Sequence, residues 1–245
     1  MALNNRYDDA VRNGLLAALP PEDLARLRPS LQPVELPFDK TLYPADGTVE
    51  AVLFPETGMV SLLATLEEGE QVEVGVVGWE GLVGLPLILG DDRSLVEARV
   101  QQEGKAFRIG AAAFRAAMGE SAALRGLLKR YALAFHAQVT LTAGCNVRHA
   151  IEQRLARWLL IAHDRADADE FPMTHEFLSM MLGVRRPGVS LAAGVLQKAG
   201  LIRYARGRMS VTDRHGLEAA SCECYHTVQR EFARLLGTDV SKRSG

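Results

Sequence analysis

Cysteine is scarce in this sequence. Only Cys145, Cys222 and Cys224 occur, too few and too unevenly placed for a disulfide framework, and residues 1–144 hold none. Histidine is missing ahead of His136. That absence speaks against a histidine-bound metal or haem inside a domain built from the first half and against a metal-dependent barrel enzyme. No apolar run reaches the eighteen residues that a membrane-spanning helix needs, so no membrane partner is expected. The opening MALNNRYDDA lacks a basic region followed by an apolar stretch, so it does not read as a secretion leader. Together with the few cysteines, this predicts a cytoplasmic protein. Catalytic signatures are missing as well. There is no nucleophile elbow, no glycine-rich phosphate loop ending in lysine and no cluster of metal ligands, so no enzyme is expected.

What the chain does have is an uneven distribution of charge. Its net charge is −2, but residues 1–146 carry 13 basic and 19 acidic side chains, and residues 147–245 carry 15 and 11. Within 171–215 the basic residues are Arg185, Arg186, Lys198, Arg203, Arg206, Arg208 and Arg214, against only Glu176 and Asp213. A basic module joined to an acidic one suits a reader of polyanions coupled to a second function.

With 48% hydrophobic residues the chain can build a packed core. Residues 10–30 read as short helices, with Pro20-Pro21-Glu22-Asp23 at a helix start. From 32 to 109, short apolar runs alternate with Gly, Pro and Asp. Examples are Val34–Leu36, Val49–Phe54, Met59–Leu66, Gln71–Val77 and Ser94–Val100, with Glu67-Glu68-Gly69-Glu70 as a hairpin turn. Short strands at this spacing predict a small β-barrel or β-roll. Ala111–Met118 then reads as a short helix, and Ser121 to Thr142 as a long one. Leu124, Leu128, Tyr131 and Phe135 make an apolar stripe along the long helix, which either packs on its own barrel or pairs with its copy in a second subunit. The second reading makes these four residues a dimer interface. Leu127, Ala134 and Leu141 lie on a neighbouring stripe. Gly144-Cys145-Asn146 is expected to break the helix and act as a hinge, which divides the chain into 1–143 and 144–245. Val147–His163 reads as a further helix.

The most informative stretch is 172–202. Thr174 is suited to cap a short helix whose buried side is Phe177, Leu178 and Met181. Leu182-Gly183-Val184 supplies a tight turn. A second helix follows from about Arg186, with Pro187 in its first turn and Val189, Ala192, Ala193 and Leu196 on its inner face. This is the layout of a helix-turn-helix, whose second helix enters the major groove of DNA and reads bases with its N-terminal residues. Arg185 and Arg186 sit at that tip, and Ser190 lies one turn on. An arginine there can donate two parallel bonds to guanine, worth roughly 1–3 kcal/mol of discrimination. Residues 203–211 then read as a wing, a hairpin around Gly207 carrying Arg203, Arg206 and Arg208 for phosphate contacts. Thr212-Asp213-Arg214-His215 starts a terminal helix.

THEFLSMMLGVRRPGVSLAAGVLQKAGLI, together with the β-roll, long helix and winged helix around it, resembles the CRP/FNR family of bacterial regulators. The resemblance implies an α+β fold: an N-terminal β-roll of the double-stranded β-helix or jelly-roll type, a long dimerisation helix, and a C-terminal winged helix-turn-helix. It further implies a homodimeric transcription regulator that reads palindromic double-stranded DNA and works with RNA polymerase. By the resemblance Arg186 takes the place of the principal base-reading arginine. Arg185 stands where the family usually has Ser, Pro187 where many members have a base-reading Glu, and Leu191 where a basic or polar residue is common, so a different palindrome is expected. In the amino-terminal half, Gly47, Gly58 and Gly78 resemble the glycines that turn the family's β-roll. Arg93-Ser94 resembles the phosphate-facing pair of cyclic-nucleotide sensors, and Glu80 is the nearby acid. Glu80, Arg93 and Ser94 are therefore the candidate effector residues. No Gly-Glu stands at the expected distance, and Asp91 and Asp92 add negative charge, so an effector other than cyclic AMP is expected.

Cys222-x-Cys224-x-His226 is a candidate soft-metal or redox cluster, but it would need further ligands from elsewhere, and no metal or certain cofactor is expected. The competing function is an effector-independent, dimeric DNA-binding or architectural protein whose β-roll is a protein-docking scaffold.

Overall fold

The computed structural model describes residues 11–166 and 168–241. Two short helices, α1 (Gly14–Ala17) and α2 (Pro21–Leu27), lead into seven strands. These are β1 (Gln32–Leu36), β2 (Thr41–Tyr43), β3 (Ala51–Pro55), β4 (Met59–Thr65), β5 (Gln71–Val77), β6 (Glu97–Gln102) and β7 (Gly104–Gly110). One sheet has the order β1-β7-β3 and the other β2-β6-β4-β5, all pairs antiparallel. Their inner faces bury Leu36, Val52, Phe54, Val60, Val100 and Ile109, forming the expected β-roll. The β4–β5 turn is the one read from Glu67–Glu70, closed by a bond from the Gly69 amide to the Leu66 carbonyl at 2.9 Å. A short helix, α3 (Leu85–Leu89), lies between β5 and β6.

Strands β2 and β7 fall within or at the edge of the strand-rich stretch 32–109 but are not among the runs singled out in it. In β7, Lys105 and Arg108 interrupt the apolar pattern, yet this strand is the centre of its sheet and buries Ala106 and Ile109. Gly104 opens it because a Cβ there would lie 2.2 Å from the Thr57 carbonyl oxygen.

Helix α4 (Ala111–Glu120) precedes α5 (Ala122–Arg148), which the Ser121 hydroxyl caps through the Leu124 amide at 2.9 Å. The helix break expected at Gly144 does not occur. A glycine in a helix interior costs only about 1 kcal/mol relative to alanine, and here it is outweighed by a continuous helix of 27 residues. The chain turns extended instead at His149 and Ala150.

The stripe read as a dimer interface faces inward. Leu124, Leu128, Tyr131 and Phe135 are buried against the chain's own β-roll. The Tyr131 hydroxyl donates to the Leu82 carbonyl at 2.9 Å, and Phe135 packs over Gly75 of β5. The neighbouring Leu127 and Ala134 share the core with Val228 and Phe232 of α10 (Cys224–Leu236), a helix that packs along α5. Both stripes are thus satisfied within one chain. Among the residues that α5 leaves exposed, with Lys129, His136, Ala143 and Gly144 beside them, Leu133, Thr140 and Val147 stand seven residues apart, Leu133 53% and Val147 81% accessible.

A second core gathers around α6 (Ile151–Arg165), α7 (His175–Leu182), α8 (Arg186–Lys198) and α9 (Arg214–Ala220) with the sheet β8-β10-β9 (Glu170–Pro172, Arg208–Val211, Ile202–Ala205). Met59, Leu63 and Val76 of the β-roll belong to this core, so the helical unit is seated on the roll's four-stranded sheet.

Candidate nucleic-acid interface

The Thr174 hydroxyl accepts from the Phe177 amide at 3.1 Å, satisfying one of the free N–H groups of the first turn of α7. Leu178 and Met181 are buried, and Phe177 is half-buried, edge-on to Trp158. Gly183 ends the helix in the left-handed region at φ 59°, a conformation that strains any residue with a Cβ. The chain then enters α8 with Pro187 in the first turn. Val189, Ala192, Ala193 and Leu196 are buried as expected. The opposite edge presents Arg185, Arg186, Pro187 and Ser190 to solvent, followed by Leu191 and Val195. Arg185 is the residue before the helix and provides no side-chain cap, so its guanidinium is left to other partners.

Ser190 is less free than the sequence implies. Its hydroxyl lies 2.9 Å from Nδ1 of His175, and that ring stacks on Tyr204 at 4.3 Å. Burial, then the Arg186 charge, lowers the His175 pKa, which favours the neutral ring. This His175–Ser190–Tyr204 arrangement links α7, α8 and the wing, and was not legible in the sequence.

The wing is β9 and β10, joined by Arg206 at φ 51° and Gly207 at φ 74°, the paired left-handed residues of a tight hairpin turn. Arg206 is exposed at its tip. Arg203 and Arg208 are not unopposed. Glu170 on β8 bonds the Arg208 guanidinium and lies 3.8 Å from that of Arg203. That hydrogen bond holds the Glu170 carboxyl below its ordinary range. Glu170 lies one residue outside the basic window 171–215, so the sequence reading overstated the free charge of the wing.

The candidate effector residues have separate partners. Glu80 is buried and pairs with Arg165 of α6 at 2.6 Å, while accepting the Gly78 amide at 3.0 Å. It ties the β-roll to the helical unit, and its second carboxylate oxygen is buried without a hydrogen-bond partner. Arg93 reaches the Asp46 carbonyl at 3.4 Å, and Ser94 donates to the Val96 carbonyl at 2.8 Å. A cavity of about 340 Å³ does open between the strands of the roll, lined by Leu36, Leu42, Tyr43, Leu53 and Arg108 among others, but by none of the three. Near the C-terminus, His226 turns to Gln229 at 3.2 Å, away from Cys222 and Cys224. Cys222 lies ahead of α10, so the helical spacing that would pair it with His226 does not apply.

Two family models match the chain. A cyclic nucleotide-binding domain covers residues 33–121, and a Crp-like helix-turn-helix domain covers 153–220. The chain belongs to the CRP/FNR family. Among solved structures it is similar to FixK2 from Bradyrhizobium japonicum, at 17% identity and a TM-score of 0.67 over 78% of this chain and 98% of that one. A putative CRP/FNR regulator from Eubacterium rectale gives 17% identity and a TM-score of 0.65 over 88% and 97%. The cyclic di-GMP-responsive global regulator CLP of Xanthomonas campestris gives 15% and 0.61 over 78% and 98%. No curated protein matches. The CRP/FNR fold and its DNA-binding module therefore account for both cores. Among the described residues, no helix is long and apolar enough to cross a membrane.

Proposed function

We propose that this CRP/FNR regulator is a homodimer that reads a palindromic operator through the exposed tip of α8 and is modulated by an effector other than cyclic AMP. The observation that carries the reading is the two-sidedness of α8. One face is wholly buried, and the exposed edge begins with Arg185 and Arg186. In this reading Arg186 bonds guanine, Arg185 and Ser190 contact neighbouring bases or phosphate, and Arg206 with the partly paired Arg203 and Arg208 holds the backbone. Thr174 shapes the turn by capping α7.

The dimer face is reassigned from Leu124, Leu128, Tyr131 and Phe135 to the exposed line Leu133, Thr140 and Val147, whose seven-residue spacing suits a coiled-coil seam. The division between sensor and DNA-binding unit moves from Gly144 to the extended step at His149–Ala150. RNA polymerase is the proposed partner at promoters, and the cytoplasm the proposed location.

Footprinting of genomic fragments with the full chain and with Arg186→Ala tests the core of this reading. The variant is expected to lose site preference while retaining its fold, and an unchanged footprint sinks the assignment.

An effector-independent regulator is favoured by one observation: Glu80 is engaged by the buried Arg165 and Ser94 by the Val96 carbonyl, and none of Glu80, Arg93 and Ser94 lines the cavity of the roll. Thermal shift against nucleotides, cyclic di-GMP and metabolites separates the two, since an effector raises the melting temperature.

A further inference from the structure

Three buried free cysteines, Cys145, Cys222 and Cys224, converge with His149 at the junction of α5, α9 and α10. Buried thiols are most often small hydrophobes. Here, however, one ligand atom from each of the four residues lies within 4.8 Å of all the others. Cys145 Sγ is 3.5 Å from Cys222 Sγ, and Cys224 Sγ is 3.8 Å from His149 Nδ1. Zinc–sulfur bonds of about 2.3 Å at tetrahedral angles place their sulfurs about 3.8 Å apart. The four donors thus already stand at nearly the separations that one central ion imposes.

Three further features support this. Cys145 lies in the last turn of α5 and His149 is the residue that ends it, its amide donating to the Cys145 carbonyl at 3.1 Å, while Cys222 approaches from the link between α9 and α10 and Cys224 from the first position of α10. The imidazole turns Nδ1 to the thiols and Nε2 to the Glu223 carboxylate, 3.3 Å away. A carboxylate behind a histidine is the arrangement that fixes the tautomer of a metal-bound imidazole. Three thiolates with a divalent ion leave one negative charge, and the Arg157 and Arg154 guanidiniums lie close enough to Cys145 to interact electrostatically with it.

We propose that Cys145, His149, Cys222 and Cys224 form a tetrahedral site for one thiophilic divalent metal ion of the zinc type, stapling the end of α5 to the α9–α10 segment. Soft thiolates with one imidazole and no carboxylate select such an ion over magnesium or calcium. The compact donor set holds a single ion, because an iron–sulfur cluster interposes several atoms between its thiolates. The ion clamps the chain next to His149–Ala150, where the long helix hands over to the DNA-binding unit, so its loss loosens that junction.

The test uses the full chain purified in reductant without chelator. Elemental analysis is expected to find one zinc per chain. Apoprotein titrated with cobalt(II) is expected to show thiolate-to-cobalt charge transfer and the visible bands of tetrahedral cobalt, both abolished by zinc. His149→Gln, at a partly exposed position, is expected to keep the fold by circular dichroism and to weaken zinc at least tenfold against a chelating dye. Cys222→Ser should weaken it further, and Glu223→Gln should do so about tenfold through the imidazole. Removing zinc is expected to speed hydrogen exchange in residues 145–150 and 221–225. A folded protein with no stoichiometric metal and no tetrahedral cobalt spectrum overturns the proposal. So does undiminished binding in His149→Gln and Cys222→Ser, or a Cys145–Cys222 disulfide that persists in reductant. None of these readouts involves DNA, so the metal site and the operator reading fail separately.

Discussion

The indole of Trp158 on α6 donates its Nε1–H to the Glu73 carboxylate on β5 at 2.7 Å, across the seam between the β-roll and the DNA-binding unit. The other Glu73 oxygen accepts from the Ser61 hydroxyl, which also lies 3.7 Å from Met181 Sδ of α7. The position of the helix-turn-helix is therefore connected to a carboxyl group buried in the sensor sheet.

Burial pushes the Glu73 pKa up from 4.5 to about 7, against the opposing effects of Ser61, Trp158, Arg157 and Arg165. The folded state then holds a proton that the unfolded state releases at lower pH. The Glu73 contribution is fully present below about pH 4.5 and is lost as pH rises through about 7. Urea unfolding of the wild type and Glu73→Gln should diverge with pH. The variant, which keeps an acceptor for Trp158, is expected to gain roughly 1–3 kcal/mol relative to the wild type between pH 5 and 8. A constant difference across that range contradicts this account.

Glu80 and Arg165 form a second tie across the seam, each nearly fully buried. Removing one partner strands a charge. Arg165→Met is expected to destabilise the protein by about 3–5 kcal/mol, and Glu80→Leu combined with Arg165→Met to recover most of it. Denaturant midpoints of the single and double variants measure the difference. Equal losses in both mean that packing, not charge pairing, holds the seam.

Local signals made the DNA-binding module readable. Thr174, Gly183, Pro187 and the spacing of Val189, Ala192, Ala193 and Leu196 each act within a few residues, so a linear reading found the cap, the turn and the buried face. The β4–β5 hairpin was readable for the same reason. Properties set by distant partners were not. Nothing local shows that Leu124 and Tyr131 face the roll, because that depends on where β5 and α3 pass. Cys145 and Cys222 meet across 77 residues, and Glu80 finds Arg165 across 85. Gly144 misled because glycine marks many helix ends, while here packing on both faces of α5 carries the helix past it.

The two surfaces of α5 make opposite predictions. Leu128→Ala removes a fully buried side chain and should cost about 2–5 kcal/mol of stability. Leu133→Glu and Val147→Glu change exposed positions, so their melting temperatures as monomers should stay near that of the wild type. If this face is the dimer seam, sedimentation should show monomers for both glutamate variants. Persistent dimers in the double variant would move the interface elsewhere.

The arginines of the helix tip and the wing should separate by salt and by sequence. Arg206 stands exposed at the hairpin turn, where a phosphate contact is the available interaction. Arg206→Ala is expected to weaken operator and random DNA alike and to lower the slope of log affinity against log salt by about 0.9. Arg208→Ala should change that slope less, because Glu170 already neutralises part of its charge, and Glu170→Gln should raise affinity for all sequences. Arg186→Ala should instead reduce operator affinity selectively, by roughly 1–3 kcal/mol at the base it reads. Fluorescence anisotropy at several salt concentrations, with operator and scrambled duplexes, measures all four. If Arg186→Ala lowers both duplexes in parallel, that arginine positions the helix and does not read the bases.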